Sequence, residues 1–158
     1  MDAPPARVSE ILDFWFADHG PKDWFAKNPE FDAKIRARFG SLHAQAERGE
    51  LDGWAETVEG ALALILVLDQ FSRNLYRGSA QAFALDAKAL RVAKGAMDRG
   101  FHNGLGERER VFLFVPFEHS EDSRDQEMSI EHYADLGDKS LLEWAEKHKA
   151  IVDRFGRD

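Results

Sequence analysis

The chain has no cysteine among its 158 residues. Disulfides, thiolate metal sites and thiol catalysis are therefore excluded. Proline is scarce, with five residues, and no Pro/Gly/Ser-rich linker interrupts the chain, which implies one domain over residues 1–158. Long apolar runs are missing. The longest, Ala61 to Leu68, is far short of the roughly 20 residues a membrane span needs. The N-terminus, Met1 to Arg7, contains proline and is not hydrophobic, unlike a secretory signal. With neither cysteine nor export signal, the expected compartment is the cytoplasm. Basic residues are outnumbered: 21 Lys and Arg face 29 Asp and Glu, for a net charge of −8. A nucleic-acid binder needs a basic footprint, so neither nucleic acid nor membrane is an expected partner. The imbalance is uneven. Residues 1–100 hold 13 basic and 15 acidic side chains, whereas residues 101–158 hold 8 and 14.

What is present is helical spacing along nearly the whole chain. A first helix is expected over about Val8 to Phe16. Asn28-Pro29-Glu30 offers an N-cap, an N1 proline and a first-turn acid, opening a second helix with Phe31, Ile35, Phe39, Leu42 and Ala46 inward and Gly49 at its end. Between the two, Trp24 and Phe25 are expected to plug into the core. A third helix runs from about Thr57 to Tyr76, and a fourth from about Ala80 to Arg99, stopped by Gly100. A fifth covers about Glu107 to Phe117, where Pro116 should kink or end it. A sixth covers about Ser120 to Leu136, with Ser120 able to cap it. A seventh covers about Lys139 to Phe155, with Leu141, Ala145, His148, Val152 and Phe155 on one face and Gly156 as its stop. About seven helices with short connections imply an all-α fold of antiparallel hairpins, in a bundle or a short superhelix. Residues 69–90 and 115–136 echo each other at an offset of about 46 residues, within the range of helical repeats.

The third helix carries the first candidate site. Ala61 to Leu68 is apolar on every side, so protein should surround it. The chain then reads Asp69-Gln70-Phe71-Ser72-Arg73-Asn74-Leu75-Tyr76-Arg77. At about 100° per residue, Asp69, Gln70, Arg73, Asn74 and Arg77 share one broad face. Either that half of the helix emerges into water, with Asp69 and Arg73 as an i,i+4 pair, or these residues line a groove. In a groove, Arg73 would anchor a carboxylate or phosphate, Gln70 and Asn74 would orient it, and Asp69 would hold Arg73.

The second candidate site is the junction Pro116-Phe117-Glu118-His119-Ser120-Glu121-Asp122. His119 can exchange protons near neutral pH, with Glu121 or Asp69 to orient it. Gln126 is a further candidate ligand contact. Eight acids lie between Glu118 and Asp138 against Arg124 alone. That pattern usually marks a solvated face, and without EF-hand spacing no metal or cofactor is expected. There is no Walker A sequence, GxGxxG, HExxH or GxSxG elbow. His119, Ser120 and Glu121 are consecutive and cannot form a triad among themselves.

Several segments resemble a bacterial family, the domain of unknown function 924 group. They are Ile11-Leu12-Asp13-Phe14-Trp15-Phe16, Leu68 to Gly78, Ala82-Phe83-Ala84-Leu85-Asp86 and Pro116 to Glu121, and Arg154-Phe155-Gly156-Arg157 fits the start of another motif. The resemblance implies a tetratricopeptide-like, all-helical fold and a site location, and no activity. The family continues into a Phe-Pro-His-Arg-Asn stretch and a further helical segment. This chain stops at Asp158, which implies either a shortened member or a missing natural end, with Arg157 a terminal residue and the site open where that segment would close it. The leading expectation is a polar or anionic small molecule, or a peptide end, bound between helices. The alternatives are a hydrolase with His119 as general base and a purely structural scaffold. The sequence leaves the oligomeric state open.

Overall fold

A computed structural model describes residues 6–25, 27–136 and 139–155. Gly156 and Arg157 lie outside them, as do the side chains of Leu141 and Phe155. Among the described residues the chain is all-α, with no strand. Helix α1, Ala6–Leu12, runs into a π-helical turn, Asp13–Ala17. Helix α2, Pro21–Trp24, is a single turn. It delivers Trp24 onto Trp15, where its Nε1 donates to the Trp15 carbonyl at 2.9 Å. Phe25 does not follow it inward and stays 64% exposed. A one-turn helix can bury only the residue that faces the core.

Helix α3, Pro29–Glu47, begins as its sequence dictates. The Asn28 side chain accepts from the backbone N–H groups of Glu30 and Phe31, and Pro29 occupies a position that needs no N–H. Gly49 closes the helix at φ +84°, a left-handed conformation that suits glycine.

The central rod has three parts: α4, Val58–Ile65, a π-helical stretch, Leu66–Phe71, and α5, Ser72–Leu75. Residues 60–69 are all buried. The α4 segment packs against α1 and against the later helices α6, Asp86–Asp98, and α7, Glu107–Glu118. That is the physical meaning of an apolar surface all round. Each leucine so enclosed contributes about 1.5–3 kcal/mol relative to exposure.

The expected fourth helix is interrupted. A 3-10 turn, Ala80–Phe83, precedes α6. The Ser79 side chain caps this turn, and α6 restarts at Asp86, an acid at its positive end. Pro116 lies inside α7 without ending it there: the N–H it lacks would have bonded upstream, to the carbonyl of Phe112, and the helix continues to Glu118. Helix α8, Ser123–Leu136, starts later than expected. Ser120 is not its cap. Its hydroxyl donates to Asp125 at 2.7 Å, and the Asp122 carboxylate instead accepts from the Arg124 N–H at 2.8 Å. Helix α9, Lys139–Phe155, packs chiefly on α8, burying Ala145 and Val152.

Candidate functional site

The π-helical stretch places Asp69 in the buried middle of the rod, at 0% exposure. Such turns recur at functional sites. A buried carboxylate must be compensated, and three side chains do so. His119 Nδ1 donates to Asp69 Oδ1 at 2.8 Å, Arg73 Nη1 donates to the same oxygen at 3.3 Å, and Gln70 Nε2 donates to Oδ2 at 2.7 Å. Arg73 also donates to the Asp69 carbonyl at 2.9 Å.

The guanidinium turns its fork onto a second acid. Arg73 Nη1 and Nη2 meet Asp86 Oδ1 and Oδ2 at 2.8 and 3.0 Å, the bidentate geometry that makes such pairs strong. Its carbon lies 5.1 Å from the centre of the Phe83 ring, within cation–π range. Arg73 thus bridges the two acids.

Charges shift accordingly. Burial opposes the Asp69 charge, yet His119 and Arg73 outweigh it and hold the carboxyl below its ordinary value. Burial also opposes charge on His119, but the Asp69 carboxylate and its hydrogen bond raise the imidazole above its ordinary value. Asp86 ends above its ordinary value because burial exceeds the compensation from Arg73. The pairing thus favours the imidazolium form of His119 and the carboxylate form of Asp69, beside an Asp86 carboxyl of weakened acidity.

His119, at the C-terminal end of α7, and Asp86, at the start of α6, both line a cavity of about 340 Å³. Phe83, Ala84, Ala87, Leu90 and Pro116 supply apolar walls, and Ser120 and Glu121 complete them. Phe83 is 58% exposed, unusual for a ring of its size. No hydrogen bond to His119 Nε2 occurs among the described residues. The ring therefore has one nitrogen fixed on a buried acid and one uncommitted.

Asp69, Gln70, Arg73 and His119 come together as one group, with Glu121 exposed at the cavity wall. The carboxylate on the imidazole is Asp69. Asn74 and Arg77 face elsewhere, toward Asp32 of α3. Asn74 Nδ2 donates to Asp32 at 2.8 Å, and Arg77 donates to it at 2.9 and 3.1 Å. There the Arg77 and Asn74 bonds overcome burial and hold the Asp32 carboxyl below its ordinary value. Two causes divide the expected face. A π turn inserts one extra residue, rotating the later part of the rod by about 100°, and the helix ends at Leu75, before Arg77. Gln126 is fully buried. It donates to the carbonyls of Ser120, at 2.6 Å, and Glu118, tying the α7–α8 junction together.

Asp86, Phe83 and Asp32 were not among the expected site residues. Asp86 belongs to the Ala82–Asp86 stretch that carries the family resemblance. Thirteen residues and a helix break separate it from Arg73, so no periodicity links the two.

Asp69, Asp86 and His119 each offer an atom within 4.8 Å of the other two. That spacing could admit a divalent ion. Arg73 already bridges both carboxylates, however, so an ion would have to displace one cation and face another on His119. A second buried group lies next along α7. Glu118 accepts from the Tyr133 hydroxyl at 3.1 Å and pairs with His148 Nδ1 at 3.0 Å, joining α7 to α8 and α9. Burial and the Glu118 charge push the Tyr133 phenol well above its ordinary value.

No described helix is long and apolar enough to cross a membrane. No curated protein matches the chain. Among solved structures, a protein of unknown function from Agrobacterium tumefaciens is 43% identical with a TM-score of 0.91; the match covers 96% of this chain and 85% of that one. The family model described as bacterial protein of unknown function (DUF924) matches residues 11–157. The chain therefore belongs to the DUF924 family.

Proposed function

We propose that the protein binds a small polar molecule carrying an anionic group, a peptide end included, in the cavity between α6 and the α7–α8 junction. The observation that carries this reading is the position of His119. Its Nδ1 is held by buried Asp69 at 2.8 Å, while its ring lines the cavity beside Asp86. The imidazolium form, which Asp69 favours, can donate its Nε2–H to a carboxylate or phosphate. Arg73 is committed to two acids and acts by neutralising them, so the anchor is His119 rather than Arg73. Asp86 and Glu121 can accept from an amine, which suits a zwitterion such as an amino acid. Phe83 and Leu90 take its apolar part.

The test is an NMR titration with free amino acids and dipeptides, read at the His119 imidazole nitrogens. A saturable shift, abolished in Ala87→Trp with the fold intact, supports binding. Absence of any saturable shift across the set overturns it.

The same pair supports a second reading, hydrolysis with His119 relaying a proton and Asp69 orienting it. It predicts turnover on a hydrolase substrate panel that is lost in His119→Ala. A panel without turnover counts against it.

A further inference from the structure

We infer a second ligand site on the opposite flank of α6, built for a small organic anion with an apolar body. Asp86, Ala87 and Leu90 face the His119 cavity. Lys88, Arg91, Gly95 and Arg99 lie on the other side of α6 by the 100° step, and they line a separate cavity of about 310 Å³. Ala55, Leu64, Val92 and Ala96 give that cavity apolar lining.

The cations here are not equivalent. Lys88 is committed to Asp52 at 2.6 Å and to the Ala46 carbonyl. Arg99 is committed to the Ala55 carbonyl and Glu56. Lys94, one residue before Gly95, pairs with Asp125 at 2.9 Å. Arg91 has no hydrogen bond or ion pair among the described residues, yet it lines the cavity. Like charges three residues apart on a helix are unfavourable, and Arg91 has Lys88 behind it and Lys94 ahead. Asp52 also lines the cavity but is paired with Lys88, so Arg91 is the one lining cation without an internal partner among the described residues. A guanidinium so placed suits a phosphate or carboxylate head.

Gly95 is the independent observation. It sits in the interior of α6, where glycine is disfavoured relative to alanine. A Cβ added there would meet nothing within 4 Å, and its φ is not in the left-handed region. Neither packing nor backbone conformation requires this glycine. What it does is leave the cavity wall without a side chain, opening room beside Arg91 for the body of the ligand.

The experiment is a titration of the intact protein with phenyl phosphate and, separately, inorganic phosphate, followed by backbone amide shifts of Ala55, Val92, Gly95 and Ala96. Phenyl phosphate is expected to saturate these shifts and to bind about tenfold more tightly than inorganic phosphate, through the apolar lining. Arg91→Glu is expected to weaken binding at least about tenfold. Gly95→Leu is expected to abolish it without lowering the melting temperature, because the helix gains a better former. His119→Ala should leave it unchanged, separating this site from the other cavity. Failure of these amides to saturate at millimolar phenyl phosphate, or equal affinity in Arg91→Glu, overturns the inference.

Discussion

Arg73 keeps two acids apart by sitting between them. With 21% of its side chain exposed and Asp69 at 1%, the pair is largely withdrawn from water. Removing the guanidinium leaves Asp69 and Asp86 confronting each other in a medium of low polarity. Arg73→Ala is therefore expected to cost about 3–5 kcal/mol in urea unfolding. Adding Asp86→Ala should recover part of that loss by removing one of the two stranded charges; a double variant as unstable as the single would contradict this. The i,i+4 spacing of Asp69 and Arg73 was legible in the sequence, and their contact is observed. Asp86 was not, because its pairing spans a helix break. His119 stood out as a proton-exchanging group, but only the fold selected Asp69 over Glu121 as its partner.

The same pair sets a pH dependence. His119 is raised above its ordinary 6.5, so its contribution is complete below that value and is lost as pH rises through the higher folded one. Asp69 is lowered below its ordinary 3.8, so its contribution is complete above that value and is lost as pH falls through the lower folded one. Both are present in full between 3.8 and 6.5. Melting temperature followed by circular dichroism should fall on the alkaline side of that window, and His119→Asn should flatten that limb. An unchanged alkaline limb in the variant would assign the dependence to another group.

Among the elements, those with local signals were readable and those without were not. Asn28-Pro29-Glu30 specifies the start of α3 through bonds within four residues. Asn28→Ala is expected to destabilise by about 1 kcal/mol in denaturant titration. The π turns at Asp13–Ala17 and Leu66–Phe71 left no comparable trace, since one extra residue in a turn alters neither composition nor average spacing. That extra residue is one reason Asn74 faces Asp32 rather than His119. Gly60 presents the opposite case to Gly95. A Cβ at Gly60 would lie 2.2 Å from the Trp54 carbonyl oxygen and 2.7 Å from Thr57 Oγ1. Gly60→Ala is therefore expected to destabilise by about 1–3 kcal/mol despite the better helix former, and a stabilised variant would show that the 3-10 segment Asp52–Glu56 yields.

At the scale of the molecule, one buried cluster runs from Val8 on α1 to Ala145 on α9. Helices that share a core should melt together. Far-ultraviolet dichroism and tryptophan fluorescence are expected to report coincident unfolding transitions. The slowest-exchanging amides should lie in Ala61 to Leu68, which open only with the whole structure. Separate transitions for the two probes would indicate that α8 and α9 form a unit of their own.

Helical class, the buried rod, the Asn28 cap and the Asp69–Arg73 contact could all be read from residue order. Each rests on interactions within a turn or two, where 3.6-residue periodicity links sequence to space. The assembly of the site could not. Asp69 and His119 are 50 residues apart, and Asn74 and Asp32 are 42 apart. Which side chains meet across such distances depends on how helices cross and where a π turn rotates one of them. Those are properties of the packed core, and no local pattern encodes them.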